Sequence, residues 1–246
     1  MGTLAVEDRY YSPEELADLS PEEFVALLRG ICALPGRGYL NHPLVQKIEA
    51  GTATLPQLRL FVEQFYLHTR NMMPAFGHMS SVCPFEDARN TLIKNLAEEA
   101  YGAVSGLKGH PDMLLDFGIA IGVDATAAKK KRQLRASRKV TDYYEFMSFC
   151  RPWYVPVAAI GAVMEASTPD TFGRMAEGFR KNYGLNDQQL LFWTMHVEAD
   201  KEHGDEGVEI VERYVTTPEA RAQVLECGVE NAENWYGMFD IHRLAA

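Results

Sequence analysis

The chain has 246 residues, 47% of them hydrophobic and 24% charged, with a formal net charge of −10. That length and apolar share allow a sizeable buried core, and the acidic balance argues against nucleic-acid or anionic-membrane partners. The one basic run, Lys129-Lys130-Lys131-Arg132 with Arg135, Arg138 and Lys139, is short and reads as a solvated turn and helix start. No apolar run reaches the roughly eighteen residues of a membrane span, and no charged-then-apolar leader is visible. Cys32, Cys83, Cys150 and Cys227 are scattered without a C-x-x-C pair, as expected of reduced thiols in a cytoplasmic protein.

Residues 1–12 are polar and read as a loose arm. Ser20-Pro21-Glu22-Glu23 combines an N-cap, a first-turn proline and a capping-box glutamate, so a helix starts there and runs through Leu27, Leu28 and Ile31 to Pro35-Gly36. His42-Pro43 opens a short helix that stops at Gly51. Thr54 caps a longer one in which Leu58, Phe61, Val62, Phe65, Tyr66 and Thr69 keep helical period, and Pro74 should interrupt it. Pro84 to Ala100 reads as helix, Tyr101 to Gly109 as a glycine-containing loop, and His110-Pro111 as the start of a helix ending at Gly122. Val140 to Phe149 and Pro156 to Ala166 form one broken helix or two stacked ones. Thr168-Pro169-Asp170 caps the next, which ends at Asn182-Tyr183-Gly184. Asp187 to Val215 is a long proline-free helix, and Thr217-Pro218-Glu219 starts the last. With no alternating run and no Asn-Gly turn, the expected fold is an all-α, single-domain bundle of seven or more helices spanning residues 1–246.

Within the long helix, His196, Asp200 and His203 fall within roughly 60° of one another, and Phe192 continues the stripe one turn earlier. Two imidazoles and a carboxylate on an inward face need partners, because unpaired buried charge is costly. Taken alone, the stripe fits satisfied core histidines as well as metal ligands. A metal would need ligands from other helices, and four residues qualify by position. Glu99 shares a face with Leu92 and Leu96, whereas Glu98 falls with Lys94 on the wet side. Glu165 follows the apolar run Val157 to Met164. His110 precedes a proline at a helix start, and His68 projects near Phe65 and Tyr66. Singly, Glu165 could be an exposed helix end and His110 a cap. Together they form a thiolate-free N/O set that suits non-haem iron or manganese better than structural zinc, calcium or magnesium.

The H-x3-D-x2-H stripe, with Asn95-Leu96-Ala97-Glu98-Glu99, His110-Pro111, Leu115-Asp116-Phe117 to Gly122-Val123 and Glu165, resembles the haem-oxygenase-like diiron oxidases and oxygenases. These are relatives of pyrroloquinoline-quinone synthase and of the thiaminase-II family. The resemblance spans roughly residues 40 to 215. It implies a haem-oxygenase-like bundle, two ferrous ions per chain with the second weakly held, and O2 as co-substrate. It further implies a small amino-acid-like or fatty-acid-like substrate and a homodimer. Carried over, Glu99, His110 and His196 surround one iron, Glu165 faces both, and Asp200 and His203 complete the second. The loop after Glu99 leaves Glu98 as an alternative ligand. Phe65, His68 and Phe192 are the candidate substrate contacts.

Other readings make different demands. One branch of this family forms p-aminobenzoate from its own tyrosine and tends to place tyrosines beside the ligands. Here Met164 and Phe192 stand at those places, although Tyr66, Tyr143, Tyr144 and Tyr154 are available. A thiaminase would use a cysteine, for which Cys150 is the superficial match, though it reads as a packed thiol. A cofactor-independent oxidase would use the histidines as acid and base. A ferritin-like site would need two E-x-x-H motifs, and only Asp200 to His203 approaches one. A non-catalytic helical binding module would need none of these residues.

Overall fold

A computed structural model describes Glu7 and residues 9–245, except for the side chains of residues 201–203. Among the described residues there is no strand. The helices are α1 (Pro13–Leu16), α2 (Pro21–Gly30), α3 (Pro43–Glu49), α4 (Leu55–Asn71), α5 (Met73–Val82), α6 (Glu86–Tyr101) and α7 (His110–Ala120). After them come α8 (Ala125–Lys130), α9 (Arg135–Cys150), α10 (Tyr154–Ala158), α11 (Thr168–Tyr183), α12 (Leu191–Tyr214) and α13 (Pro218–Phe239).

Local chemistry sets most of these boundaries. The Ser20 hydroxyl accepts from the Glu23 N–H at 3.2 Å while Glu23 accepts from the Ser20 N–H at 2.8 Å, the reciprocal box the sequence predicts. Thr54 and Gln57 repeat it at α4. Pro74 ends α4 as expected: the His68 carbonyl takes the Met72 N–H at 2.9 Å, and α5 sets off from there. Glycines in the left-handed region, Gly102 and Gly184, end α6 and α11.

Several features differ from the sequence reading: α9 begins at Arg135 rather than Val140, and Lys129 and Lys130 of the basic run end α8. Helix α12 begins at Leu191 rather than Asp187, because Asn186 and Gln189 cap one another reciprocally at 2.9 and 3.0 Å in a separate turn. Thr168 is no N-cap. The chain reaches it already helical through a 3-10 turn, Glu165–Ser167, and its hydroxyl bonds back to the Met164 carbonyl. The described part of the N-terminal arm is docked: Tyr11 is buried and accepts the Glu7 N–H at 2.7 Å, and Tyr10 meets Glu230 of α13. Residues 1–6 and 8 lie outside the described residues.

The segment read as a broken or stacked helix is α10 followed by a π-helical turn, Ala159–Met164, which is wholly buried. Helix α12 lies directly on it. A Cβ on Gly207 would stand 2.6 Å from the Ala162 nitrogen and 2.9 Å from the Gly161 Cα, so only glycine permits the approach. This contact aligns Glu165, just past the π turn, with the His196–Asp200 face of α12. Phe61, Phe65, Phe172, Phe192, Trp193, Trp235 and Phe239 interlock beneath that face; the Phe65 ring is 5.7 Å from Phe192 and 5.5 Å from Trp235. No helix among the described residues is long and apolar enough to cross a membrane.

Candidate metal centre

Helices α6, α7 and α12 each deliver one buried side chain to a common point. Glu99, His110 and His196 offer ligand-type atoms that all lie within 4.8 Å of one another. The first two are joined by the loop between α6 and α7. Gly102 and Gly109 let that loop fold tightly, since added Cβ atoms would stand 2.3 Å from the Leu107 carbonyl oxygen and 2.2 Å from that of Ala100. His110 is the first residue of α7, ahead of Pro111, so its ring turns back toward Glu99.

The loop also separates Glu98 from Glu99. Glu98 is buried, not on the wet side as its helical phase with Lys94 suggests. Its carboxylate accepts the backbone N–H groups of Val104 at 2.7 Å and Ser105 at 3.0 Å. It stands 3.8 Å from His110 Nε2, while Glu99 Oε2 stands 2.9 Å from His110 Nδ1. Neither ring nitrogen of His110 makes an aligned hydrogen bond. Two ligand atoms each about 2.1 Å from one ion, at right angles, stand about 3.0 Å apart, so the 2.9 Å contact has the spacing of an edge of a coordination shell. On α12, His196 Nδ1 is held 2.6 Å from the Phe192 carbonyl, an N–H···O bond that fixes the tautomer and leaves Nε2 for the centre.

Asp200 is buried one turn beyond His196, and Glu165 is half-buried across from it. The His203 side chain lies outside the described residues. An inner cavity of about 60 Å³ adjoins this group, lined by Glu99, Glu165, His196 and Asp200 together with Phe65, His68 and Phe192, the three expected substrate contacts. Tyr39 and Tyr144 also line it. Of the four tyrosines the sequence offers, only Tyr144 reaches this wall. Tyr39, which the sequence reading missed, sits in a loop without periodicity, stacked 5.1 Å from Phe239 and donating to the Met164 carbonyl at 3.1 Å. An outer cavity of about 170 Å³ shares Phe76, Glu99 and Glu165 with the inner one and runs between α5, α6, α10 and α12 to Asp87, Glu209 and Arg213. Cys150 lines neither cavity and is exposed, not packed, because it ends α9.

The electrostatics suit a cation. Three carboxylates and no lysine or arginine line the inner cavity among the described residues. Burial works to lower the His110 pKa, but Glu99, with smaller effects from Asp200 and Glu98, outweighs it, and the net shift is upward. Burial, then the nearby His110, lowers that of His196. Two imidazoles and a carboxylate with space beside them make the donor set of non-haem ferrous sites. The residues present therefore fit iron.

Fold and donor set define a helical protein with a mixed nitrogen–oxygen metal-type site buried beside a cavity. The chain belongs to the family described as iron-containing redox enzymes, whose model matches residues 59–236. A 4-aminobenzoate synthase of Nitrosomonas europaea is 27% identical over 205 residues, covering 78% of this chain and 80% of that protein. One from Chlamydia muridarum is also 27% identical, covering 82% and 83%. Among solved structures, a TenA homologue from Pseudomonas syringae pv. tomato shares the fold at a TM-score of 0.76 and 14% identity, covering 97% of this chain and 99% of that one. A Shewanella denitrificans domain with a heme oxygenase-like fold does so at 0.72 and 16% identity, covering 91% and 90%. The haem-oxygenase-like bundle expected from the sequence is thus the observed fold.

Proposed function

We propose that this protein is an iron-dependent oxidase that uses O2 to oxidise a small organic substrate, with Glu99, His110 and His196 holding one ferrous ion. Glu165, Asp200 and His203 would hold a second, more weakly. The observation that carries the reading is the convergence of Glu99, His110 and His196 from three helices beside a cavity. When bound, ferrous iron supplies electrons and open coordination positions for reaction with O2. The chain's own residues do the rest. The Phe192 carbonyl orients His196, and Glu98, anchored on the Val104 and Ser105 N–H groups, stands behind His110. The rings of Phe65, Phe172, Phe192 and Trp235 shield the inner cavity from water, and the outer cavity gives a path from the surface. Anaerobic titration with ferrous ion, followed by exposure to O2, tests the reading. Stoichiometric binding and O2 consumption, both lost in His196→Ala, are expected; a parent protein that binds no iron refutes it.

A second reading is favoured by Tyr39 and Tyr144 in the inner wall and by the relatives' name: one of the chain's own tyrosines is oxidised and supplies the ring, a side-chain amine of the chain supplies the nitrogen that replaces the phenolic oxygen, and the product is 4-aminobenzoate. Incubation with iron, reductant and O2 but no added substrate separates the two. 4-Aminobenzoate at no more than one equivalent, with a matching mass loss on the chain, supports the second. An unchanged chain supports the first.

A further inference from the structure

His68 is fully buried on α4, lines the inner cavity, and has no partner at Nε2. Its other nitrogen, Nδ1, is 2.9 Å from the Thr141 hydroxyl on α9. The direction of that bond follows from the chain of contacts behind it. Arg70 can only donate, and its Nε faces Asn71 Oδ1 at 3.3 Å, so the Asn71 amide turns its Nδ2 to Gln133 Oε1 at 3.0 Å. The Gln133 Nε2 must then donate, and it does so to Thr141 Oγ1 at 2.8 Å and Ser137 Oγ at 3.0 Å. Having accepted from Gln133, Thr141 can place its own proton on His68 Nδ1 at 2.9 Å or on the Ser137 carbonyl at 3.5 Å. The Ser137 carbonyl stands at the limit of hydrogen-bond distance and is already contacted by Gln133 Nε2 at 3.3 Å, so it is the poorer acceptor and the Thr141 proton goes to His68 Nδ1. Burial lowers the His68 pKa to about 3, so the ring is neutral, and a neutral imidazole that accepts at Nδ1 carries its one proton on Nε2.

We infer that His68 is a substrate-binding residue whose Nε2–H donates, across the inner cavity from Glu99 and His196, to a carboxyl-type oxygen of the substrate. This rests on the oxidase reading and names the chemistry of the group that its cavity takes. The inner space, about 60 Å³, is well below the roughly 150 Å³ that admits a benzene ring, whereas the outer one, about 170 Å³, matches it. A substrate with an apolar body of ring size in the outer cavity would thus present a head of a few atoms to the inner one. The rings of Tyr144 and Trp235, with centroids 5.2 and 5.0 Å from that of His68, hold the imidazole edge in place. A buried N–H without a partner is costly, so the inner cavity favours a group that accepts a hydrogen bond over one that only donates.

The test uses the full-length chain labelled with 15N-histidine, both metal-free and loaded with zinc as a diamagnetic stand-in. Long-range 1H–15N spectra should show His68 as the Nε2–H tautomer. Titration with acetate and with acetamide should move its Hε2 resonance downfield; acetate alone would mark a carboxylate head, and acetamide alone or both a neutral carbonyl. His68→Leu should weaken the responding probe at least about tenfold as read from shifts elsewhere in the cavity, and His68→Gln should restore part of the loss. Thr141→Val, nearly isosteric, should abolish the tautomer preference without touching the cavity. A parent ring protonated at Nδ1, or an Hε2 resonance that neither probe moves, overturns the inference. So does loss of zinc binding in His68→Gln, which would make His68 a ligand. If the parent binds neither iron nor zinc, the oxidase reading fails, while the tautomer and probe response of the metal-free chain still decide the role of His68.

Discussion

Replacing Gly207 with alanine tests the contact that sets the site's geometry. The added Cβ would lie 2.6 Å from the Ala162 nitrogen, 2.8 Å from the Gly161 carbonyl carbon and 2.9 Å from its Cα. All three are backbone atoms, so no side chain can swing away, and relief requires α12 and the π turn to separate by several tenths of an ångström. Overpacking of this kind costs about 1–3 kcal/mol. For a chain of this size that lowers the melting temperature by about 3–10 °C. The same separation moves Glu165 away from His196 and Asp200, so ferrous affinity should fall by on the order of tenfold or more while α6 and α7 are undisturbed. Thermal unfolding by circular dichroism and anaerobic iron titration measure both effects. A Gly207→Ala protein with the parent's melting temperature and iron affinity would refute the claim that this approach positions the site.

Further outcomes follow from the same geometry. Glu99→Gln should abolish tight iron binding, whereas Glu98→Gln, which keeps an acceptor for Val104 and Ser105, should weaken it by about 10–100-fold at most; iron titration of the pair distinguishes them. For metal-free protein, burial holds His42 and His68 at about 3, against an unfolded value of about 6.5. Their folded-state pKa values are depressed, so their contribution to stability is complete above pH 6.5 and is lost as pH falls toward 3, with the pair taking up at most about two protons on unfolding in mid-window. Denaturant titrations across that window check the slope. His110 works oppositely. Its pKa is raised, so the stability from its protonated form is complete below about pH 6.5 and fades as pH rises through the folded value. Iron displaces that proton, and its apparent affinity should climb over the same upper range. Alkylation should strike the exposed Cys150 ahead of the buried Cys32, Cys83 and Cys227 and leave iron-dependent O2 consumption unchanged, as mapped by peptide mass spectrometry.

Helix starts and stops were legible because their causes are local. Ser20, Thr54 and Thr217 cap with their own side chains, Pro74 interrupts, and Gly102 and Gly184 supply left-handed residues, each within a few positions of the boundary it sets. The spacing of His196 and Asp200 is equally local, which is why the stripe could be read before any fold was known. Periodicity fails where a neighbour distant in sequence decides. Glu98 and Glu99 differ by 100° of helical phase, and phase alone leaves Glu98 wet. The 102–109 loop folds over Glu98 instead and buries it on two backbone N–H groups. Tyr39 carries no periodic signal, yet packing against Phe239 and Thr168 brings it to the cavity.

By itself, then, the sequence determined that the chain is helical, where most helices begin, and that imidazoles and carboxylates lie on inward faces, because caps, prolines, glycines and 3.6-residue spacing act over a few residues. Only the tertiary structure decided that α6, α7 and α12 meet at Glu99, His110 and His196. It also decided that α12 closes on the π turn through Gly207, and that His68 lines the cavity with no partner at Nε2. Those facts depend on which helices pack together and how closely, and no short-range pattern encodes that.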